Sequence, residues 1–215
     1  MLRYRVCILA LSLTLAISAP AAAQGRFGIG AFGGVFFATS DLIDQVAEGI
    51  GILDQKTGGG FGGRLGWWPL DRLGIEAEGG LAISKVRVRV PGEPEGSDNA
   101  SVYFGSVNLL YAIVKPPLEP LSVYVSGGFG LVGRSGDAWS DDIINFQGLT
   151  DPAGVVGFGI RYGIARGLNL SADIRDYISS FKLEVEGIDQ SLLPDAKLQN
   201  DLLITVGAEY TFGGV

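Results

Sequence analysis

The chain alternates apolar and non-apolar residues over eight separate stretches, and the connections between them go long, short, long, short. Side chains of an extended strand point to opposite faces with a period of two, so each stretch reads as a strand with one apolar face. The stretches are 26–38, 58–68, 73–90, 101–115, 121–133, 153–164, 168–182 and 200–212. The connections 39–57, 91–100, 134–152 and 183–199 are long, whereas Pro69–Arg72, Pro116–Pro120 and Ala165–Gly167 are short. On this reading proline sits in turns and loops, which spares the ladder donors of the strand interiors.

The last stretch is the cleanest. Leu202, Ile204, Val206, Ala208, Tyr210 and Phe212 share one face, and Leu203, Thr205, Gly207, Glu209 and Thr211 the other. In the third stretch Leu73, Ile75, Ala77, Leu81 and Ile83 oppose Glu76, Glu78 and Ser84. Its apolar parity then flips to Val86, Val88 and Val90, which predicts a β-bulge near Ser84–Lys85.

Residues 1–23 read as a secretory signal peptide, and residues 24–215 as one domain. Arg3 and Arg5 precede an apolar run from Val6 to Ala19, and Ala21 and Ala23 stand at −3 and −1 of a cleavage site before Gln24. The run is shorter than the roughly 20 residues of a membrane-spanning helix. Cys7 is the only cysteine, so beyond the leader neither a disulfide frame nor a thiolate metal site is expected. Without Arg3 and Arg5, 14 basic residues face 23 acidic ones, a balance that argues against nucleic acid as a partner.

Although 47% of residues are hydrophobic, no later segment approaches an uninterrupted apolar helix, because the apolar content is spread in alternation. An even number of strands, with short turns at one end and long loops at the other, is the pattern of an antiparallel, up-and-down transmembrane β-barrel. A secreted lipocalin-like carrier would share the period with the faces inverted. Three features favour the membrane. The non-apolar face is rich in glycine (Gly60, Gly62, Gly66, Gly128, Gly130, Gly157, Gly159, Gly163), which suits a crowded lumen better than a wet strand surface. Trp67, Tyr111, Tyr162 and Tyr210 fall at one level on alternate strands, as an interfacial aromatic girdle does. The last strand ends AEYTFGGV.

With these features the chain resembles the small eight-stranded outer-membrane proteins, the OmpA transmembrane domain and the OmpX/Ail type. The resemblance covers residues 24–215 and is one of architecture. It implies the cell outer membrane, surrounded by lipid and lipopolysaccharide, and periplasmic chaperones and the barrel-assembly machinery as partners during biogenesis. It also implies that Tyr210 and Phe212 form the C-terminal assembly signal, although Gly213, Gly214 and Val215 follow where the family usually ends on the aromatic. Its members mostly act as anchors, adhesins or host-factor binders. A monomer is expected, and no peptidoglycan-binding domain after the barrel.

Seven charged residues point to the lumen: Arg64, Glu76, Glu78, Arg161, Asp173, Arg175 and Glu209. An unpaired charge in a confined interior is very costly, so they are expected to pair. Strand neighbours suggest Arg64 with Glu76 or Glu78, and Asp173 or Arg175 with Arg161 or Glu209. A network that fills and stiffens the barrel is preferred to a charged gate or an acid–base pair.

Catalytic readings are weak. The absence of histidine excludes a Ser-His-Asp arrangement, and neither an enzyme nor a cofactor is expected. Gly28, Gly30 and Gly33 match a dinucleotide fingerprint, with Asp54 downstream, but they lie inside a strand with no helix to follow, and read as room in the lumen. The spacing of Asp137, Asp141 and Asp142 is not that of a calcium loop, so no metal site is expected. Ser40–Glu48 reads as a short capped helix. Trp139, Ile143, Ile144 and Phe146 make the third long loop unusually apolar, as Leu192, Leu193 and Leu198 do the fourth. Binding function usually sits on loops held by a rigid scaffold, so these residues are candidates for meeting an extracellular protein or ligand. The expected function is structural or surface interaction through the loops. A narrow pore is the alternative.

Overall fold

The structure is a computed structural model that describes residues 25–39, 52–89, 96–114, 120–136, 146–147, 150–181, 184–185 and 197–213. Its strands are β1 (Arg26–Ala38), β2 (Ile52–Gln55), β3 (Gly58–Trp68), β4 (Leu73–Arg89), β5 (Gly96–Val114), β6 (Leu121–Ser135), β7 (Phe146–Gln147), β8 (Thr150–Ala165), β9 (Leu168–Phe181), β10 (Glu184–Val185) and β11 (Lys197–Phe212). Eight of them lie in the order β4-β3-β1-β11-β9-β8-β6-β5, and β5 pairs back onto β4 to close an antiparallel ring. Closure gives each of these eight strands a partner on both sides, so the ring itself has no free edge. Beyond Lys56 and Thr57, β2 lines up with β3 and pairs with Val86–Arg89 of β4. β7 and β10 form a separate two-stranded ladder.

The two faces sort as the alternation demands, with the apolar face outward. Phe129 is 82% exposed, Val206 66% and Leu65 59%, whereas Glu76, Arg175 and Glu209 are each 1% exposed. This overturns the soluble lipocalin-like reading, in which the apolar residues would line the inside. No helix among the described residues is long and apolar enough to cross a membrane; the contiguous apolar surface lies on the strands. On β4 the outward apolar residues run from Leu73 to Ile83, roughly 26 Å at ~3.4 Å per residue and ~40° tilt, close to the ~25 Å of a barrel's apolar band.

The bulge expected near Ser84–Lys85 is absent. The β4–β5 register runs unbroken from Leu73 to Val88. Ser84 and Val86 both face the lumen, 6% and 0% exposed, and Lys85 faces out. The hydrophobic pattern flips without any change of face, because an outward cation beyond the apolar band meets water. Register shifts occur instead at Ala112/Val114 and Gly163/Ala165, beside the short turns. Gly167 closes one of those turns at φ 76°, a conformation that favours glycine.

Strands also extend further toward the long connections than the alternation indicates. Gly96–Ala100 lengthens β5, Thr150–Pro152 lengthens β8, and Lys197–Gln199 lengthens β11. Pro152 therefore lies within a strand, opposite Leu131 of β6, and pairing with β9 begins only at Ala153. Its missing N–H falls where no second partner requires it. The candidate leader, the candidate helix at 40–48 and Asp137, Asp141 and Asp142 lie outside the described residues.

Candidate functional site in the barrel lumen

The lumen is built by inward positions on all eight barrel strands. β3 contributes Arg64, β4 Glu76 and Glu78, β8 Arg161, β9 Asp173 and Arg175, and β11 Glu209. All seven are buried and lie in one cluster. Arg175 bonds Glu76 at 2.5 Å, reaches Glu78 at 2.7 Å and lies 3.5 Å from Asp173. Arg64 bonds Asp173 at 2.6 Å and stands 3.8 Å from Glu78. Arg161 contacts Glu209 at 3.0 Å and Glu76 at 3.5 Å.

Of the pairs that strand adjacency suggests, Arg64 with Glu78 is present, and those of Asp173 or Arg175 with Arg161 or Glu209 are not. Arg175 pairs with Glu76 and Glu78, and Asp173 bonds Arg64. The reason is lumen width. β9 and β4 stand opposite each other, four strands apart by either route round the ring. An arginine is long enough to span an eight-stranded interior, which is just wide enough for side chains to fill. The cluster therefore bridges opposite walls instead of lining them.

Hydroxyl and amide groups complete it. The Tyr124 hydroxyl donates to Asp173. The Tyr177 hydroxyl donates to Glu78 at 2.7 Å, and the Thr211 hydroxyl donates to Glu209 at 3.2 Å. Glycines clear the paths. A Cβ at Gly159 would lie 2.6 Å from the Asp173 carboxylate, and one at Gly28 2.7 Å from that of Glu209. The dinucleotide-like glycines divide by parity: Gly28 and Gly30 face the lumen, whereas Gly33 lies opposite outward Val206 and faces out. An odd spacing of five residues on a strand reverses the face.

Apolar layers cap the charges on both sides. Trp68, Leu110, Ala112 and Tyr124 cluster toward the short-turn rim. Phe32, Phe104, Val155, Tyr177 and Leu203 belong to a larger cluster on the other side. The guanidiniums of Arg161 and Arg64 lie over Trp68 and Phe32, 5.2 and 4.8 Å from the ring centroids. Such cation–π contacts join the ionic layer to both apolar ones.

A second polar layer lies nearer the long loops, and sequence reasoning missed it. Arg134 of β6 bonds Asp201 of β11 at 2.9 Å and Gln55 at 3.2 Å, and stands 3.8 Å from Asp151. Parity carried further along each strand would have found three of its members: Arg134 lies two residues beyond inward Val132, Asp151 two before Ala153, and Asp201 two before Leu203.

Trp67, Tyr111, Tyr162 and Tyr210 all face outward at the short-turn end, on β3, β5, β8 and β11. Phe27 stacks with Trp67 at 6.3 Å and with Phe212 at 6.1 Å, and Phe212 in turn with Tyr210 at 6.5 Å. Four aromatics thus run across β3, β1 and β11, where the first and last strands meet. Trp139, Ile143 and Ile144 lie outside the described residues; Phe146 enters β7, and no side-chain placement is described for it. Among the described residues no group of His, Cys, Asp and Glu has the arrangement of a metal site.

A family model described as the outer membrane protein beta-barrel domain matches residues 7–212. No curated protein sequence matches the chain. Among solved structures, the outer membrane protein OprG from Pseudomonas aeruginosa superposes with a TM-score of 0.64 at 16% identity, over 88% of this chain and 97% of that one. The outer membrane protein AlkL, determined in lipid bilayers, gives 0.55 at 18% identity, over 91% and 94%. Neisserial surface protein A gives 0.52 at 14% identity, over 88% and 97%. These likenesses show the fold alone, and with the family match they establish the small eight-stranded barrel and its place in the cell outer membrane. The chain belongs to the outer membrane protein β-barrel domain family.

Proposed function

We propose that the protein is a non-enzymatic anchor whose filled barrel holds its long loops at the cell surface for binding or adhesion. One observation carries the reading: Arg175 reaches from β9 to Glu76 and Glu78 on the opposite wall, with apolar layers on either side. A solute path along the axis would have to break these pairs, each of which costs several kcal/mol to leave uncompensated. A filled lumen leaves the loops as the part free to vary. In this reading the ion pairs stiffen the barrel, Tyr210 and Phe212 are read by the assembly machinery, and Trp139, Ile143, Ile144 and Phe146 contact the partner.

The test compares bacteria displaying the wild type with bacteria displaying a variant in which those four loop residues are alanine. Attachment to a cultured epithelial monolayer is measured, and a heat-modifiable band shows that both barrels fold. Attachment should fall with the variant. Equal attachment by the two, or by cells lacking the protein, sinks the loop reading.

A further inference from the structure

We infer that the outer wall across β9 and β11 is a docking face for a second copy of this chain, centred on Asp176 and Asn200. The two outward side chains are bonded to each other, the Asn200 amide donating to Asp176 at 3.1 Å. Between the level of the aromatic girdle and that of Lys85, Asp176 is the one carboxylate or cation among the described outward positions. A dimer through this face differs from the monomer expected from the sequence, and it does not depend on what the loops bind.

The depth of the pair sets it apart. Leu168 and Leu170 of β9 lie opposite the girdle residues Tyr210 and Tyr162. Asp176 is six to eight residues further along the strand, roughly 16–21 Å up the wall at ~3.4 Å per residue and ~40° tilt, inside a band of ~25 Å. Its direct cross-strand neighbours are apolar, Val156 on β8 and Leu202 on β11. Apolar residues also continue beyond the pair, Ile178 on β9 and Leu198, 64% exposed, on β11. Hydrocarbon offers no hydrogen-bond partner, and an ionisable side chain at membrane depth is costly unless another protein group answers it.

Within one chain the pair is only partly satisfied. A carboxylate offers about four acceptor sites, and that of Asp176 uses one, on Oδ2; Oδ1 has no partner among the described residues. The Asn200 amide has two N–H donors, and one is used. Because the two side chains are bonded, their tips lie at one height in the membrane. A two-fold axis along the membrane normal keeps the loops of both copies outside and carries each tip to the same height on the other copy. The Asn200 amide of each copy then meets Asp176 of the other, and the amides stand between the two carboxylates. This reciprocity is what an isologous contact requires, and an acyl chain supplies neither donor nor acceptor. Val156, Phe158 and Ile174, each about half exposed, surround Asp176 and supply the packing. Apolar contact alone gives a wall little preference for protein over lipid, so the polar pair fixes where the copies meet.

The test is Förster energy transfer between copies in phosphatidylcholine vesicles. The full chain carries a single label at Arg166→Cys in a Cys7→Ala background and is diluted stepwise with lipid. Arg166 is exposed in the β8–β9 turn, so the label leaves the wall untouched. The wild type should show transfer that falls with dilution as a dimer dissociates. Asp176→Leu and Asn200→Leu should each weaken association about tenfold or more, the loss that two intramembrane hydrogen bonds supply. Leucine suits a lipid-facing strand, and a heat-modifiable band checks that each variant folds. The swap Asp176→Asn/Asn200→Asp should retain most of the association, and Leu81→Ala, on the opposite wall, all of it. A wild type without transfer above random proximity overturns the dimer, and so does an Asp176→Leu variant that associates as tightly as the wild type. A swap that behaves like Asp176→Leu overturns the reciprocal bonding. Transfer that appears only when outer-membrane lipid is added makes a bound lipid the occupant and overturns direct contact.

Discussion

Arg175 is the residue on which the lumen turns, because three carboxylates share one guanidinium. Removing one member of a buried ion pair typically costs ~3–5 kcal/mol, since the orphaned charge stays desolvated. Arg175→Ala should therefore lower the urea midpoint of detergent-folded protein sharply, and Arg64→Ala should do so through Asp173. Arg166→Ala is the neutral reference. Equal midpoints in all three would mean that the charges stabilise nothing. Glycines make the complementary point about space. A Cβ at Gly34 would fall 2.0 Å from the Ile204 carbonyl oxygen, whereas the nearest atom at outward Gly105 is 3.6 Å away. Gly34→Ala should cost ~1–3 kcal/mol by overpacking, and Gly105→Ala less than about 0.5 kcal/mol. The same unfolding measurement checks both, and the reverse order would contradict the packing described.

Individual strands were legible wherever an apolar face met lipid. β1 and β3 begin and end at the residues where alternation starts and stops, because each outward position inside the band must be apolar. Legibility fails where the wall leaves the band. Gly96–Ala100 pairs fully with Ser84–Val88 of β4, yet GSDNA has no apolar period to announce a strand. The valines after Ser84 misled for the same reason: hydrophobicity flipped while the backbone kept its parity. Single-cysteine labelling in a Cys7→Ala background tests this directly. A membrane-impermeant maleimide should react with Lys85→Cys and leave Val86→Cys largely unmodified; the opposite pattern would restore the bulge. Which charges face the lumen was readable from parity, but their partners were not. Pairing across the barrel depends on its diameter and on which strands stand opposite, and both follow from closure of the ring rather than from any one strand.

At the scale of the whole molecule the barrel is a stack of layers. An apolar layer at the short-turn rim lies below the seven-residue ionic layer. A larger apolar layer follows, and then the Arg134–Asp201–Gln55 layer toward the loops. Outside, an apolar band is bounded by aromatics at one end and by Lys85 and Arg87 at the other. The filled lumen and the lipid-facing wall have one origin, the strict alternation of faces in a closed eight-stranded ring. Single-channel recording of the wild-type protein in planar bilayers shows whether the lumen is closed, with a general porin inserted in the same membranes as control. A filled lumen predicts no steps above baseline at voltages where the porin conducts. Steady unitary steps from the purified wild type would contradict it and would make the ion-pair layer a conduction path.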